Sequence, residues 1–193
     1  MTSPTDSDDK SLTTYVALLR GVNVGGKHIV PMKQLGEIFA ACKCADVRTY
    51  IQSGNVIFRA TPKIAPGLSV TIAKRIEDCF GFAVPVILRN RDELAHAARS
   101  NPFLKTGTPE KMLHVYFLAA APSAAAIKSL DAERSAPDVF RVSGREIYLC
   151  MPNGMGRTKL TSAYFDSRLS TICTARNWAT VLKLLEMMQS HAG

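Results

Sequence analysis

Apolar positions change period several times along the chain, and each change marks an element. Tyr15 to Leu19 is a continuous apolar run, the pattern of a strand covered on both faces. Pro31 suits a first helical position, and Met32, Leu35, Ile38, Phe39 and Cys42 repeat as the buried stripe of the helix behind it. Val47 to Ile51 and Val56 to Arg59 read as two strands joined by a turn at Ser53-Gly54-Asn55. Leu68, Ile72, Ile76 and Phe80 mark a second helix that Gly81 stops. Ala83 to Leu88 is a fourth strand, and Pro85, which has no N–H to donate, places it at a sheet edge.

This succession is βαββαβ, the split unit of ferredoxin-like folds. An Ala-rich helix (Asp92 to Arg99) follows, and then a partial second round: strand Met112 to Leu118, helix Ser123 to Glu133, and strands Val139 to Val142 and Glu146 to Leu149 around Ser143-Gly144. Two helices are expected to close the chain. One covers about Leu160 to Leu169; in the other Trp178, Val181, Leu182, Leu185 and Met188 form an apolar stripe, Trp178 being read as core. The expected fold is α+β, two related ferredoxin-like (βαββα-type) units in one compact body. Residues 1–11 form an acidic, disordered tail, 12–101 the first unit with its following helix, and 102–193 the second unit, with Pro102 to Pro109 as connector.

Length and composition change this picture little. At 193 residues and 47% hydrophobic the chain buries enough apolar surface to fold without staples. Five cysteines, an odd number with no Cys-x-x-Cys pair, argue against a disulfide framework or a zinc ribbon. Cys42-Lys43-Cys44 offers only two ligands, so no metal site is assigned, and nothing implies a cofactor. No apolar run reaches membrane-spanning length, and the first ten residues lack the apolar core of a secretory signal. The expectation is a reduced, cytoplasmic protein without a membrane partner; its oligomeric state is not legible.

Charge adds more. The formal net charge is +8; residues 1–11 contribute −2 through Asp6, Asp8, Asp9 and Lys10, leaving +10 on the remainder. Between Cys150 and Lys183 stand Arg157, Lys159, Arg168, Arg176 and Lys183 against Asp166 alone. Such a field attracts phosphates, nucleic acid or acidic partners, though a solvated basic surface gives the same count.

Three segments carry candidate chemistry. In Arg20-Gly-Val-Asn-Val-Gly-Gly-Lys27 the residues Gly21, Gly26 and Lys27 fit the phosphate-cradling G-x-x-x-x-G-K. The match fails at His28, where Ser or Thr would bind magnesium, and Pro31 starts the helix too late, so a nucleotide hydrolase is disfavoured while a simpler anion site using Arg20, Asn23, Gly25, Gly26 and Lys27 survives. The second segment is the Ser53-Gly54-Asn55 turn, which turn chemistry alone explains. Antiparallel pairing of the first and third strands nonetheless puts this turn on the same rim as the Arg20 loop, so that Ser53 and Asn55 can join the site. The third is Gly154-Met-Gly-Arg157-Thr-Lys159, a glycine-rich approach to a helix where Arg157 and Lys159 suit an anion and Thr158 fits an N-cap. Arg176, read at the start of the last helix, adds another cation. His114 reads as a partly buried strand residue, and Tyr50 and Phe58 lack the sequence setting of an RNA-stacking platform.

Ala17-Leu-Leu-Arg-Gly-Val-Asn-Val-Gly-Gly-Lys27, Thr49-Tyr-Ile-Gln-Ser-Gly-Asn-Val56, Gly156-Arg-Thr-Lys-Leu160 and Thr174-Ala-Arg-Asn-Trp178 together resemble the bacterial family catalogued as domain of unknown function 1697. The resemblance runs from about Thr14 to Leu185. It implies paired ferredoxin-like units and no established activity; His28, where Asn is the common residue, and Thr158, where Ser is, depart from the pattern. The function expected is therefore non-enzymatic binding of a phosphorylated or other anionic ligand, nucleic acid included. An enzyme acting on a small anionic substrate, and a scaffold without ligand, are the alternatives. Arg, Lys, Asn and Ser without a partner base weigh against catalysis.

Overall fold

The computed structural model describes residues 12–190, so the expected acidic tail lies outside the described residues. Within them the chain is mixed α+β, with two four-stranded antiparallel sheets and six α-helices. It divides into two compact units: one runs to Arg91 and includes the chain from Met187, and the other spans Asp92–Glu186. The division falls before the helix that sequence reading placed in the first unit.

The first unit follows the order β1 (Thr13–Leu19), α1 (Met32–Ala41), β2 (Ala45–Tyr50), β3 (Asn55–Ala60), α2 (Ala65–Phe80), β4 (Val86–Asn90). Its sheet order is β2-β3-β1-β4, with β4 at the edge, where a strand entered through Pro85 loses no ladder bond. Leu35, Ile38 and Phe39 of α1 and Leu68, Ile72 and Ile76 of α2 pack on Ala17, Leu19, Val56 and Phe58. Gly81, at φ 78°, ends α2 in the left-handed conformation expected of a glycine stop.

The second unit starts with α3 (Arg91–Arg99), then β5 (Leu113–Leu118), α4 (Ala124–Lys128), β6 (Val139–Ser143), β7 (Glu146–Cys150), α5 (Ser162–Leu169), β8 (Cys173–Asn177) and α6 (Trp178–Gln189). The sheet order β6-β7-β5-β8 repeats that of the first unit strand for strand. The register repeats as well: Val16 faces Arg89 and Ile57, as Val115 faces Arg176 and Tyr148. Helix α3 is tied to this sheet by the Tyr148 hydroxyl, which donates to Ala97 O at 3.0 Å, and by the Arg145–Glu93 ion pair.

Four local expectations are corrected. The helix expected over 123–133 stops at Lys128, because Ser129 N turns back to Ala125 and Ala126 and residues 132–137 form turns. Helix α5 is capped by Thr161, whose Oγ1 accepts from Tyr164 N at 3.2 Å, and not by Thr158. A strand, β8, separates the two closing helices. In α6 the buried apolar residues are Trp178, Val181, Leu184 and Met188, whereas Leu182 is exposed, so the apolar face is rotated from the one expected.

Candidate functional site

The Arg20 loop and the Ser53 turn do share a rim. Leu18 faces Asn55 across β1 and β3, and Leu19 N donates to Gly54 O at 2.8 Å. Between Gly21 and Val30 the chain folds into a tight hairpin: Lys27 N donates to Val24 O and Asn23 N to His28 O, both at 3.1 Å. Gly25 (φ 59°) and Gly26 (φ 72°) occupy its tip, and two successive positive φ values are what a type I′ turn demands. This is a different object from a phosphate cradle, since the Lys27 amide is spent inside the turn and α1 begins five residues later.

The amides of the rim are likewise spent on structure. Asn23 accepts from Val30 N at 2.8 Å and donates to Val30 O at 3.0 Å and Gln52 O at 2.8 Å, so one side chain closes the hairpin and fastens it to the β2–β3 turn. Asn55 is fully buried, and its Nδ2 donates to Tyr50 O and to Ser53 Oγ. His28 stacks on Phe82, ring centroids 4.5 Å apart. Of the seven rim residues proposed from sequence, Asn23, Ser53 and Asn55 hold the loops and Gly25 and Gly26 shape a turn; Arg20 and Lys27 supply the positive charge.

The loop before α5 is built differently. Ser135 Oγ donates to the buried Asp138 carboxylate at 2.8 Å and accepts from Lys159 N at 2.9 Å. A carboxylate accepts only, so the single Ser135 hydroxyl proton is engaged there, and the 3.3 Å contact with Thr158 is donated by the threonine. Thr158 Oγ1 in turn accepts from Leu160 N at 3.1 Å. From the other side Arg134 Nε donates to Lys159 O at 3.1 Å while its guanidinium lies over the Tyr164 ring, 4.2 Å from the centroid. The fold thus adds Arg134 to Arg157 and Lys159. All three are exposed, and none of them, among the described residues, has an ion-pair partner.

Sequence reading missed Arg134 because the run Ser123 to Glu133 looked helical throughout; the available signal was the turn composition of Asp131 to Asp138, with Ser135 and Pro137. It misplaced Arg176, which is not at a helix start. That residue lies inside β8, is 8% exposed, and donates to Thr174 Oγ1 at 2.9 Å and to Ala175 O at 2.6 Å. Burial pushes its pKa down to about 10, which still leaves it a cation at neutral pH. Its counterpart Arg89, 1% exposed, makes the same bond to the preceding carbonyl, Leu88 O. Neither side chain is presented to a ligand.

Cys42 and Cys44 are buried thiols, and burial pushes Cys44 up to about 12. Among the described residues no group of three or more His, Cys, Asp or Glu side chains is placed to hold a metal ion, and no helix is long and apolar enough to cross a membrane.

A family model described as a protein of unknown function, DUF1697, matches residues 12–148. Among solved structures the chain is similar to the conserved bacterial protein SP0830 from Streptococcus pneumoniae, with a TM-score of 0.67 at 21% identity, over 93% of this chain and 99% of that one. At that identity the likeness is one of fold. No curated protein matches the sequence.

Proposed function

The chain belongs to the DUF1697 family of proteins of unknown function, and from that premise we propose that it is a non-enzymatic binding protein for anionic, phosphate-bearing ligands, taken up at Arg134, Arg157 and Lys159. The observation that carries this reading is the loop before α5, held through Ser135 and Arg134, on which three exposed cations have no ion-pair partner among the described residues. A surface that merely stays soluble has no need to lock such a loop through the Ser135, Thr158 and Asp138 network. The Arg134 guanidinium, held over the Tyr164 ring, loses little rotamer freedom when a phosphate arrives, which is preorganisation. Two hydroxyls already engaged in the loop's own hydrogen bonds, with no histidine among their partners, favour binding over catalysis.

We also read each unit as a ferredoxin-like fold, duplicated in the chain. The βαββαβ succession and the sheet order of the first unit, repeated in the second, support this. The five free cysteines support a reduced, cytoplasmic setting.

A thermal-shift comparison tests the function. Inorganic pyrophosphate, nucleotides, sugar phosphates and short oligonucleotides are added to the wild type and to a variant carrying Arg134→Ala, Arg157→Ala and Lys159→Ala. A ligand of the native state raises the midpoint by mass action. The expected result is a rise for at least one phosphate-bearing compound in the wild type and none in the variant; equal shifts in the two proteins would dismiss the site.

A further inference from the structure

Exposed apolar residues scattered singly are ordinary, but three of this chain's stand together at one end of the first sheet. Val24, Ile29 and Ile51 are 61%, 57% and 51% exposed. One carboxamide gathers them. Asn23 precedes Val24 in the hairpin, bonds the N–H and the carbonyl of Val30 beside Ile29, and donates to the carbonyl of Gln52 beside Ile51. Val22 and Val30 are buried in the core of the first unit, so the hairpin is anchored from below while Val24 and Ile29 stay in water.

Ile51 is the least expected of the three. Its φ is 47°, in the left-handed region, where a β-branched residue is an outlier and Asn or Gly fits with less strain. With half its surface in water, its side chain recovers little by packing within the chain. Strain of this kind gathers where a residue meets a ligand. The glycines of the hairpin stand clear of the body: a Cβ at Gly21, Gly25 or Gly26 would meet nothing within 4 Å. Charge completes the rim, since the chain from Leu12 to Leu35 carries Arg20, Lys27 and Lys33 and no acid, and there is none from Val47 to Ala60 either.

We propose that this rim docks on an anionic lipid surface, Val24, Ile29 and Ile51 entering the boundary between headgroups and acyl chains and Arg20, Lys27 and Lys33 lying against the acidic headgroups. Apolar area and attraction to anionic lipid add in such a contact, and the rim presents both at one place. Nucleic acid is the poorer fit, because bases stack on aromatic rings and the ring on this hairpin, His28, is already stacked on Phe82. A protein partner would have to supply a matching hollow for each protruding tip, whereas a bilayer closes around tips of any spacing. The contact is with one membrane surface and needs no spanning helix, of which there is none among the described residues. It does not rest on the loop before α5.

Flotation of the full chain with phosphatidylcholine vesicles, pure or containing roughly one-third phosphatidylserine, tests the assignment. Binding is expected to the acidic vesicles and not to the neutral ones. It is also expected to persist in the Arg134→Ala, Arg157→Ala, Lys159→Ala variant, which separates this rim from the anion loop. Val24→Ser with Ile29→Ser, and Lys27→Ala with Lys33→Ala, are each expected to weaken vesicle binding about tenfold. Ile51→Asn is the sharper variant: it should weaken binding about fivefold while raising the urea midpoint, because asparagine takes the left-handed backbone with less strain. No binding to acidic vesicles, equal binding to neutral ones, binding unchanged in the aliphatic variants, or a lower midpoint in Ile51→Asn would overturn the proposal. A concentration-dependent dimer that the aliphatic variants dissolve, without vesicle binding, would give the rim to a second copy of the chain instead.

Discussion

Gly54 is the residue on which the first rim depends. It sits at φ 73°, and a Cβ there would lie 2.5 Å from Val22 Cγ2 and 2.7 Å from Leu19 Cβ, so an added methyl meets both a disfavoured backbone and an occupied space. Gly54→Ala is expected to lower stability by about 2–4 kcal/mol, read from the urea midpoint. Trp178, 1% exposed, should cost about 3–5 kcal/mol when cut to Ala; a midpoint equal to wild type would contradict its burial. The rim was legible in the sequence because strand pairing alone brings the two turns together. What Asn23 and Asn55 do there was not legible, since an amide fits a ligand or a neighbouring carbonyl equally well until the backbone is placed.

At the scale of elements, the first unit was readable because long apolar runs are separated by Gly and Pro. Strand β8 was missed for the opposite reason. Cys173-Thr-Ala-Arg-Asn177 is short, carries two polar ends, and runs straight into α6, so its periodicity is lost in that of the helix. The signal lay in the duplication: Arg89-Asn90 precedes α3 as Arg176-Asn177 precedes α6. Asn177 now has a defined part, because its Oδ1 accepts from Thr180 N at 2.7 Å at the head of α6. Asn177→Ala is expected to cost about 1 kcal/mol, the usual worth of an N-cap, in the same denaturation assay.

For the molecule as a whole, stability and charge respond to solution conditions in ways the structure dictates. Burial lowers the His114 pKa below its ordinary 6.5, with a backbone hydrogen bond to Met112 opposing the shift. The unfolded chain therefore takes up this proton first as pH falls. Stability is expected to decline from about pH 6.5 downward and to be unaffected by this group above it. Urea midpoints between pH 7.5 and 5 should show a shallower decline in His114→Gln; identical slopes would remove His114 from the account. The net positive charge was plain from composition, but which cations the fold brings near one another was not, because Arg134 reaches Lys159 across 25 residues of chain while Arg176, two residues before Trp178, turns inward. The most direct measurement is fluorescence anisotropy of a labelled oligonucleotide across a salt series, for the wild type and for the Arg134→Ala, Arg157→Ala, Lys159→Ala variant. Engagement of phosphates by these three cations should make log affinity fall with log salt, and their loss should flatten that slope by up to about three phosphate equivalents. Absence of binding at low salt, or the same slope in both proteins, would contradict the loop's role as an anion site.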